Sequence, residues 1–548
     1  MKRCIWMCAG LALVSAQAGI VEETHSKPVL AAWVEVAPFA EVRQKVTTLG
    51  TLVNNPIVPM ALVPAIQSAI KEEMGSLRPD AAIRVSTYVY QPAWQIAVTS
   101  EVAYAAEDLM KTEVAYVDPP KGARPLVRAE VTAIGLAALE DYLLQAAAAE
   151  KRERKAKGDQ ISGFDLWLNL SDENPDPSSD VKLRSYARAQ LLVDLNARGF
   201  SFDFSLESCA GRKLSPAAGF RLPAGALDGI PDNAPFVVAV NDWQMGQYQD
   251  EKEYKQSNES AARIVEGLAR HVLKDPDVKK YAPVLTGVAG ALASYLRTAP
   301  VTHPTDWSVC ALAFGLRREP YFVQDGVSAS ARQLDAADVR LFDAVAAAVE
   351  KQWPGRGLVR VSNGRLIVDY AAVLDVAAAE SQVKGADREL AQAKKRLGSI
   401  LGGTKGVIAV LPMAGTAHST FIGPVGFRRP VSQNPQGEAR LAALLPETTS
   451  DRPSCVGWLS LYALARDFAL PVAVGFAPKK DQPLYQAVVQ ALPVAGQTSA
   501  IAGAYWSRAD GSHRFLLRVS ADELKNFGAV YNVISAAQMS PRGQKGDE

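Results

Sequence analysis

The sequence predicts an α+β protein: two or three domains of antiparallel sheet with helices packed on one face, its recurring units read as divergent repeats. Three observations predict this. Short runs alternate apolar and polar residues at period two. Asn-Gly and Asp-Gly turn dipeptides join such runs in pairs. Stretches with apolar residues at helical spacing follow the pairs. At 548 residues the chain exceeds one ordinary core. With 48% apolar and 21% charged residues, it has the composition of a folded globular protein, which excludes overall disorder.

The clearest unit spans residues 498–537. Ala500, Ala502, Ala504 and Trp506 alternate with Ile501, Gly503 and Tyr505. Asp510-Gly511 supplies a turn, because glycine accepts positive φ without a Cβ clash. Phe515, Leu517 and Val519 share one face of the returning strand. Ser520 and Glu523 then match the S-x-x-E capping box, and Leu524, Phe527, Tyr531 and Ile534 continue at helical spacing. Two earlier stretches repeat the grammar. At 191–206, Leu191, Val193 and Leu195 meet Phe200, Phe202, Phe204 and Leu206 across an Asn196–Gly199 turn; at 357–370, Asn363-Gly364 joins two apolar runs.

In chain order, a strand near residues 32–39 opens a first α+β domain over 19–215, with helices expected at 59–77 and 133–157 and strands over 83–102. The Pro- and Gly-rich residues 216–233 mark a boundary. A second domain spans 234–402, with an opening strand at 236–240 and helices at 260–273, 281–297, 335–353 and 371–400. Gly402-Gly403 stops the last helix. A third domain spans 405–538, packing with the second as one option, and residues 539–548 read as a disordered tail.

The N-terminus has the layout of a secretory signal over residues 1–18. Lys2 and Arg3 precede a short apolar run from Cys4 to Val14, and Ala16-Gln17-Ala18 supplies the small-residue cleavage pattern. The run is too short to span a membrane, and no transmembrane span is expected in the mature chain. The expected location is periplasmic or secreted. Cleavage takes Lys2 and Arg3 from 59 basic side chains, against 58 acidic ones, so the mature chain is near neutral. That charge, and basic clusters at 151–157 and 394–396 without aromatic interleaving, argue against a nucleic-acid partner. Cys209, Cys310 and Cys455 lie too far apart for a disulfide scaffold, and the sequence leaves any pairing among them open.

The opening strand Phe236-Val237-Val238-Ala239-Val240 and the ending Trp506–Phe527 resemble uncharacterised exported proteins of Gram-negative bacteria, a family of unknown-function domains. The resemblance covers the final ~60 residues best. It implies an envelope or extracellular setting and carries over no catalytic residue.

Signatures of chemistry are sparse. The five histidines are isolated, with no H-E-x-x-H and no C-x-x-C, and G-x-S-x-G is absent. Gly402–Gly406 has the wrong order for a phosphate loop. Gly415-Thr416-Ala417-His418-Ser419-Thr420 reads as a loop. The metal candidate is a calcium-type loop of Asp172, Asn174, Asp176, Ser178 and Asp180, whose oxygens recur at alternate positions. Pro177 stands at its glycine position and Leu183 at its final carboxylate, so a solvated acidic loop is the favoured reading. Asp242-Trp243 and Asp306-Trp307 pair a carboxylate with an aromatic ring, as sugar sites do. No cofactor is expected.

The sequence thus predicts a non-enzymatic exported protein that binds an envelope protein or glycan or has a structural role. A glycan-directed hydrolase and a ligand-binding protein with an interdomain cleft stand as alternatives. N-terminal sequencing of the exported protein is expected to begin at Gly19; detection of uncleaved chain in the cytoplasm alone would contradict the signal.

Overall fold

The computed structural model describes residues 29–55, 57–74, 83–90, 93–100, 126–130, 164–169, 186–209, 214–246, 248–315, 319–380, 387–411, 413, 415–426, 436–476 and 482–539. The signal, the helix expected at 133–157 and the acidic run at 172–180 lie outside the described residues. The fold class is α+β.

In chain order the strands are β1 (Val29–Val36), β2 (Ile83–Tyr90), β3 (Ala93–Ser100), β4 (Leu126–Glu130), β5 (Phe164–Asn169), β6 (Tyr186–Asn196), β7 (Gly199–Ser208), β8 (Phe236–Val240), β9 (Trp307–Phe314), β10 (Pro320–Val327), β11 (Val359–Ser362), β12 (Arg365–Asp369), β13 (Lys405–Leu411), β14 (Ala417–Pro424), β15 (Cys455–Leu459), β16 (Ile501–Ser507) and β17 (His513–Ser520). The principal helices are α1 (Phe39–Leu52), α2 (Ile57–Met74), α3 (Glu251–Val272), α4 (Ala282–Thr298), α5 (Ala331–Gln352), α6 (Gln436–Leu444) and α7 (Ala521–Met539). The chain forms two compact units. The first is Met1–Lys213 with Asp510–Ala529, and the second is Leu214–Ala509 with Val530–Glu548.

In the first unit every described pairing is antiparallel, in the order β4–β3–β2–β1–β5–β6–β7–β17. The β6–β7 turn shows why glycine is required. Gly199 has φ +120°, and a Cβ there would lie 2.1 Å from the Val519 carbonyl oxygen of β17. Asn196 Oδ1 accepts the Arg198 amide (2.8 Å), which shapes the turn. Arg514 of β17 donates to both oxygens of Asp203 on β7, at 3.0 and 2.7 Å, a fork that fixes register as well as adding energy. Lys45 of α1 reaches Asp194 of β6 at 2.5 Å.

The second unit is also antiparallel throughout its described pairings: β11–β12–β13–β14–β10–β9–β8–β15–β16. The sequence stretches 234–402 and 405–507 therefore contribute to one sheet. Asn363 (φ 52°) and Gly364 (φ 70°) form the left-handed pair that a two-residue hairpin needs. Gly402 (φ 74°) and Gly403 (φ 159°) follow the helix Asp387–Ile400, as expected of a helix stop. On one face of the central strands, Val237, Ala239, Val309, Ala311, Val323, Ala409 and Phe421 form an almost solvent-free core. The segment from 214 and α6 close this face: Arg440 of α6 donates to the Ala234 carbonyl (2.8 Å) and lies 5.3 Å from the Trp458 ring.

Two residues of the ending acquire structural roles. Trp506 is fully buried, and its indole N–H donates to the Asp451 carbonyl at 2.8 Å. His513 packs edge-on against Tyr186, with ring centroids 5.7 Å apart. Ser520 caps α7, its hydroxyl accepting the Glu523 amide at 3.1 Å. Replacing Ser520 with Ala is expected to cost about 1 kcal/mol, read as a lower urea midpoint with an unchanged slope.

Candidate functional site

Antiparallel register places residues of adjacent strands in rows across one face. In the second unit one such row is Phe236–Leu312–Phe322–Ile422–Ile408, apolar throughout. The next is Val238–Cys310–Gln324–Thr420–Val410, and the one after is Val240–Ser308–Gly326–His418. Helices α3, α4 and α5 lie over these rows. A sheet face under helices is expected to be apolar. Here five of its central positions are Ser308, Cys310, Gln324, His418 and Thr420. Polar groups on a helix-covered face are the informative exceptions to burial rules; Ser308 is buried, Gln324, His418 and Thr420 are half-buried, and these four line a cavity of about 470 Å³.

The helices supply the walls. Tyr254 and Asn258 of α3, Tyr295 of α4 and Asp338 and Phe342 of α5 line the cavity, with Asp242, Thr302, Asp306 and Trp307 from the strand ends. Tyr254 is held in place by stacking on Trp243 (5.5 Å, 7°). Gly326 makes room for the imidazole: a Cβ there would lie 2.3 Å from His418 Cε1. The ring thus lies over the glycine, on the cavity side of the sheet.

Asp306 anchors the rim. Its carboxylate accepts the His303 amide (2.7 Å), the Ser328 hydroxyl (2.8 Å) and the Ala329 amide (3.1 Å). Asn241, at the end of β8, donates to the carbonyls of Pro304 (2.7 Å) and Asp306 (2.9 Å) and accepts the Gln244 amide (2.7 Å). These bonds join the ends of β8, β9 and β10.

The remaining carboxylates are differently placed. Asp338 accepts the Tyr295 hydroxyl and lies 3.4 Å from Thr420 Oγ1. Burial nonetheless holds its carboxyl above the ordinary range, outweighing those two bonds. Asp242 is reached by solvent yet sits in a concave recess, where surrounding protein and then the Asp306 charge push it up. Asp335 is raised by burial. The Cys310 thiol is pushed up to about 11, by burial and then by Asp242 and Asp325. Tyr295 is raised by burial and by Asp338. No lysine or arginine is among the described lining residues. Two polar groups of the cavity lining are buried without a partner among the described residues: the Thr302 hydroxyl and His418 Nδ1.

The sequence signals fare unequally. Residues 415–420 do not form a loop as expected. From Ala417 they run in β14, and strand alternation sends His418 to the cavity and Ser419 to the opposite face, where it donates to Asp325 at 2.5 Å. Polar residues after Gly415 concealed the strand. The two Asp-Trp dipeptides, 64 positions apart, meet here: Asp242, Asp306 and Trp307 line one cavity, while Trp243 is buried behind it. Asp338, Tyr295, Gln324 and Thr302 carried no sequence signal. Among the described residues no group of His, Cys, Asp and Glu could hold a metal ion, and Cys310 and Cys455 are free thiols. A second depression, along Glu251, Lys255, Glu259 and Arg263, is the exposed side of α3 alone. Among the described residues no helix is long and apolar enough to cross a membrane.

No family model matches the chain, and neither a curated protein nor a solved structure is similar to it at a significant level.

The two aspartates predict opposite stability effects. A carboxyl raised in the native state binds its proton more tightly folded than unfolded, so its ionisation lowers stability as pH rises above the unfolded value of 3.8. Asp338→Asn is therefore expected to raise the unfolding temperature at neutral pH, with the gain fading as pH falls to the unfolded range. Asp306→Ala strands buried donors and is expected to cost about 3 kcal/mol. Thermal and urea unfolding at several pH values measure both.

Proposed function

We propose that the protein is an exported binding protein whose second unit holds a small ligand in the cavity floored by Ser308, Gln324, His418 and Thr420. The observation that carries this reading is the polar inversion of a helix-covered sheet face around a cavity of ligand size. Four positions that face the cavity break the apolar rule, whereas on the opposite face Asp325 and Ser419 do so and satisfy each other by a hydrogen bond; such local violations concentrate at functional sites. The secretory layout of residues 1–18 and the resemblance to exported Gram-negative proteins support an envelope or extracellular setting. The site lies within one unit, so the reading needs no interdomain cleft. The strand order β3–β2–β1–β5–β6 in the first unit matches β10–β9–β8–β15–β16 in the second, which supports reading the units as divergent copies. The ligand would then belong to the copy with the polar face.

Binding is favoured over covalent hydrolysis because, among the described residues, no serine, threonine or cysteine is hydrogen-bonded to His418 in the manner of an activated nucleophile. A second reading, a glycan-directed hydrolase, rests on Asp242 and Asp338: both carboxyls are raised, in a cavity that also presents Tyr254, Tyr295 and Trp307.

Native mass spectrometry tests the binding reading. The mature chain is incubated with the small-molecule fraction of a bacterial extract, beside a Ser308→Phe variant that fills the floor. The wild type is expected to retain a mass that the folded variant does not. Equal retention by both sinks the proposal, and steady turnover of an oligosaccharide, lost in Asp338→Asn, would favour the hydrolase.

A further inference from the structure

The charge inventory of the cavity narrows the ligand. Three carboxylates line it, Asp242, Asp306 and Asp338, against one imidazole and no lysine or arginine among the described lining residues. Asp306 is occupied by its three donors. Asp338 receives hydroxyl groups and, as opposite charge, the His418 imidazole alone among the described residues. Asp242 has no hydrogen-bond or ion-pair partner among the described residues. The protein thus leaves two carboxylates to share one imidazole, with no lysine or arginine beside them among the described lining residues.

A separate observation shows that the cavity is built for an occupant. Thr302 is only 9% exposed, lines the cavity, and its hydroxyl lacks a partner among the described residues. His418 Nδ1 is likewise buried and unpartnered. A buried polar atom left unpaired costs about 1–3 kcal/mol, so both are waiting for a donor or acceptor that the chain does not supply. Tyr254, Tyr295 and Trp307 add aromatic surface, whose faces attract cations.

We infer that this cavity takes a small organic cation, an amine- or quaternary-ammonium-bearing metabolite, its charge compensated by Asp242 and Asp338 and its polar end served by Thr302 and His418. The inference rests on the binding reading above and deepens it. An anion meets an excess of negative charge. A neutral polyol satisfies the hydrogen bonds but leaves the carboxylates unmatched. About 470 Å³ lies low in the usual pocket range of roughly 300–1,000 Å³, which suits a metabolite better than a polymer chain.

The pH dependence has a definite sign. Lowering pH discharges Asp242 and Asp338, whose carboxyls burial raises, and that loss of negative charge opposes binding of a cation. Asp335, also raised by burial, acts in the same direction, while Tyr295 and Cys310 are pushed further up and stay protonated through the acid range; Asp306, Tyr254 and His418 face the same cavity. Binding is therefore expected to weaken on acidification.

Calorimetric titration of the full mature chain tests the inference. The probes are choline, ethanolamine and 1,4-diaminobutane, with 3,3-dimethylbutan-1-ol as the uncharged shape-mimic of choline and glucose and myo-inositol as neutral polyols. At least one cation is expected to bind in the millimolar range or tighter. Choline is expected to exceed its uncharged mimic by about tenfold or more, and Asp338→Asn to remove about tenfold of cation affinity while leaving the mimic unchanged. Equal binding of choline and the mimic overturns the inference. So does binding of a polyol but of no cation, an outcome in which the ligand class fails and the binding site stands. If no probe binds and the extract experiment also retains nothing, the binding reading itself fails.

Discussion

The second unit depends on one buried carboxylate. Asp306 is 6% exposed and pairs with no cation among the described residues. Burying a carboxylate without hydrogen bonds costs many kcal/mol; with backbone amides and a hydroxyl converging on it, the charge becomes an organising centre. The bonds reach residue 303 before β9 and residues 328 and 329 after β10. Asn241 extends the network to β8 through the Asp306 carbonyl. The same strand ends carry Asp242, Thr302, Trp307 and Val327 into the cavity rim. Asp306 therefore positions the site without offering a free oxygen to it.

That division of labour explains the chemistry of the other carboxylates. Asp306 is stabilised by donors fixed in the backbone. Asp338 has only side-chain hydroxyls, and Asp242 has none. A hydroxyl donor offsets part of the desolvation of a carboxylate; it does not neutralise its field. The field reaches Cys310 on the floor, whose thiol is pushed up first by burial and then by Asp242 and Asp325. A conventional core would contain none of these groups, and this one gives up native stability to hold them.

What the sequence displayed and what it concealed follow from the range of each interaction. Turns and caps are local, so Gly199, Asn363-Gly364, Gly402-Gly403 and Ser520 were legible from their neighbours alone. Alternation showed where strands lie and said nothing of which face the helices would cover. Ser308, Gln324 and Thr420 look like ordinary outward-facing strand residues until α3, α4 and α5 are placed over them. His418 was doubly obscured, by Gly415 before it and by Ser419 beside it, though the two residues face opposite ways. The Asp-Trp dipeptides were a true signal of composition, but their meaning depended on register: only Val240 opposite Ser308 brings the two rims together. Asp338 had no local signal, being one of four acidic residues on a helix rich in alanine.

Size decides whether the cavity is a packing defect or a solvated chamber. An empty apolar void costs about 24 cal/mol per Å³. At about 470 Å³, an unrelaxed dry void would cost on the order of 10 kcal/mol, comparable with the whole stability of a typical domain. The fold cannot carry that, so the chamber must hold water, and a polar lining is what allows water to remain. The same lining makes the water exchangeable. Thr302 and His418 Nδ1, unpartnered among the described residues, and Asp242, without a hydrogen bond there, are groups to which a solute could offer better-matched partners. Displacing water gains affinity only when the entering molecule reproduces or improves its contacts. For this lining, improvement means bringing the positive charge that the chain leaves out.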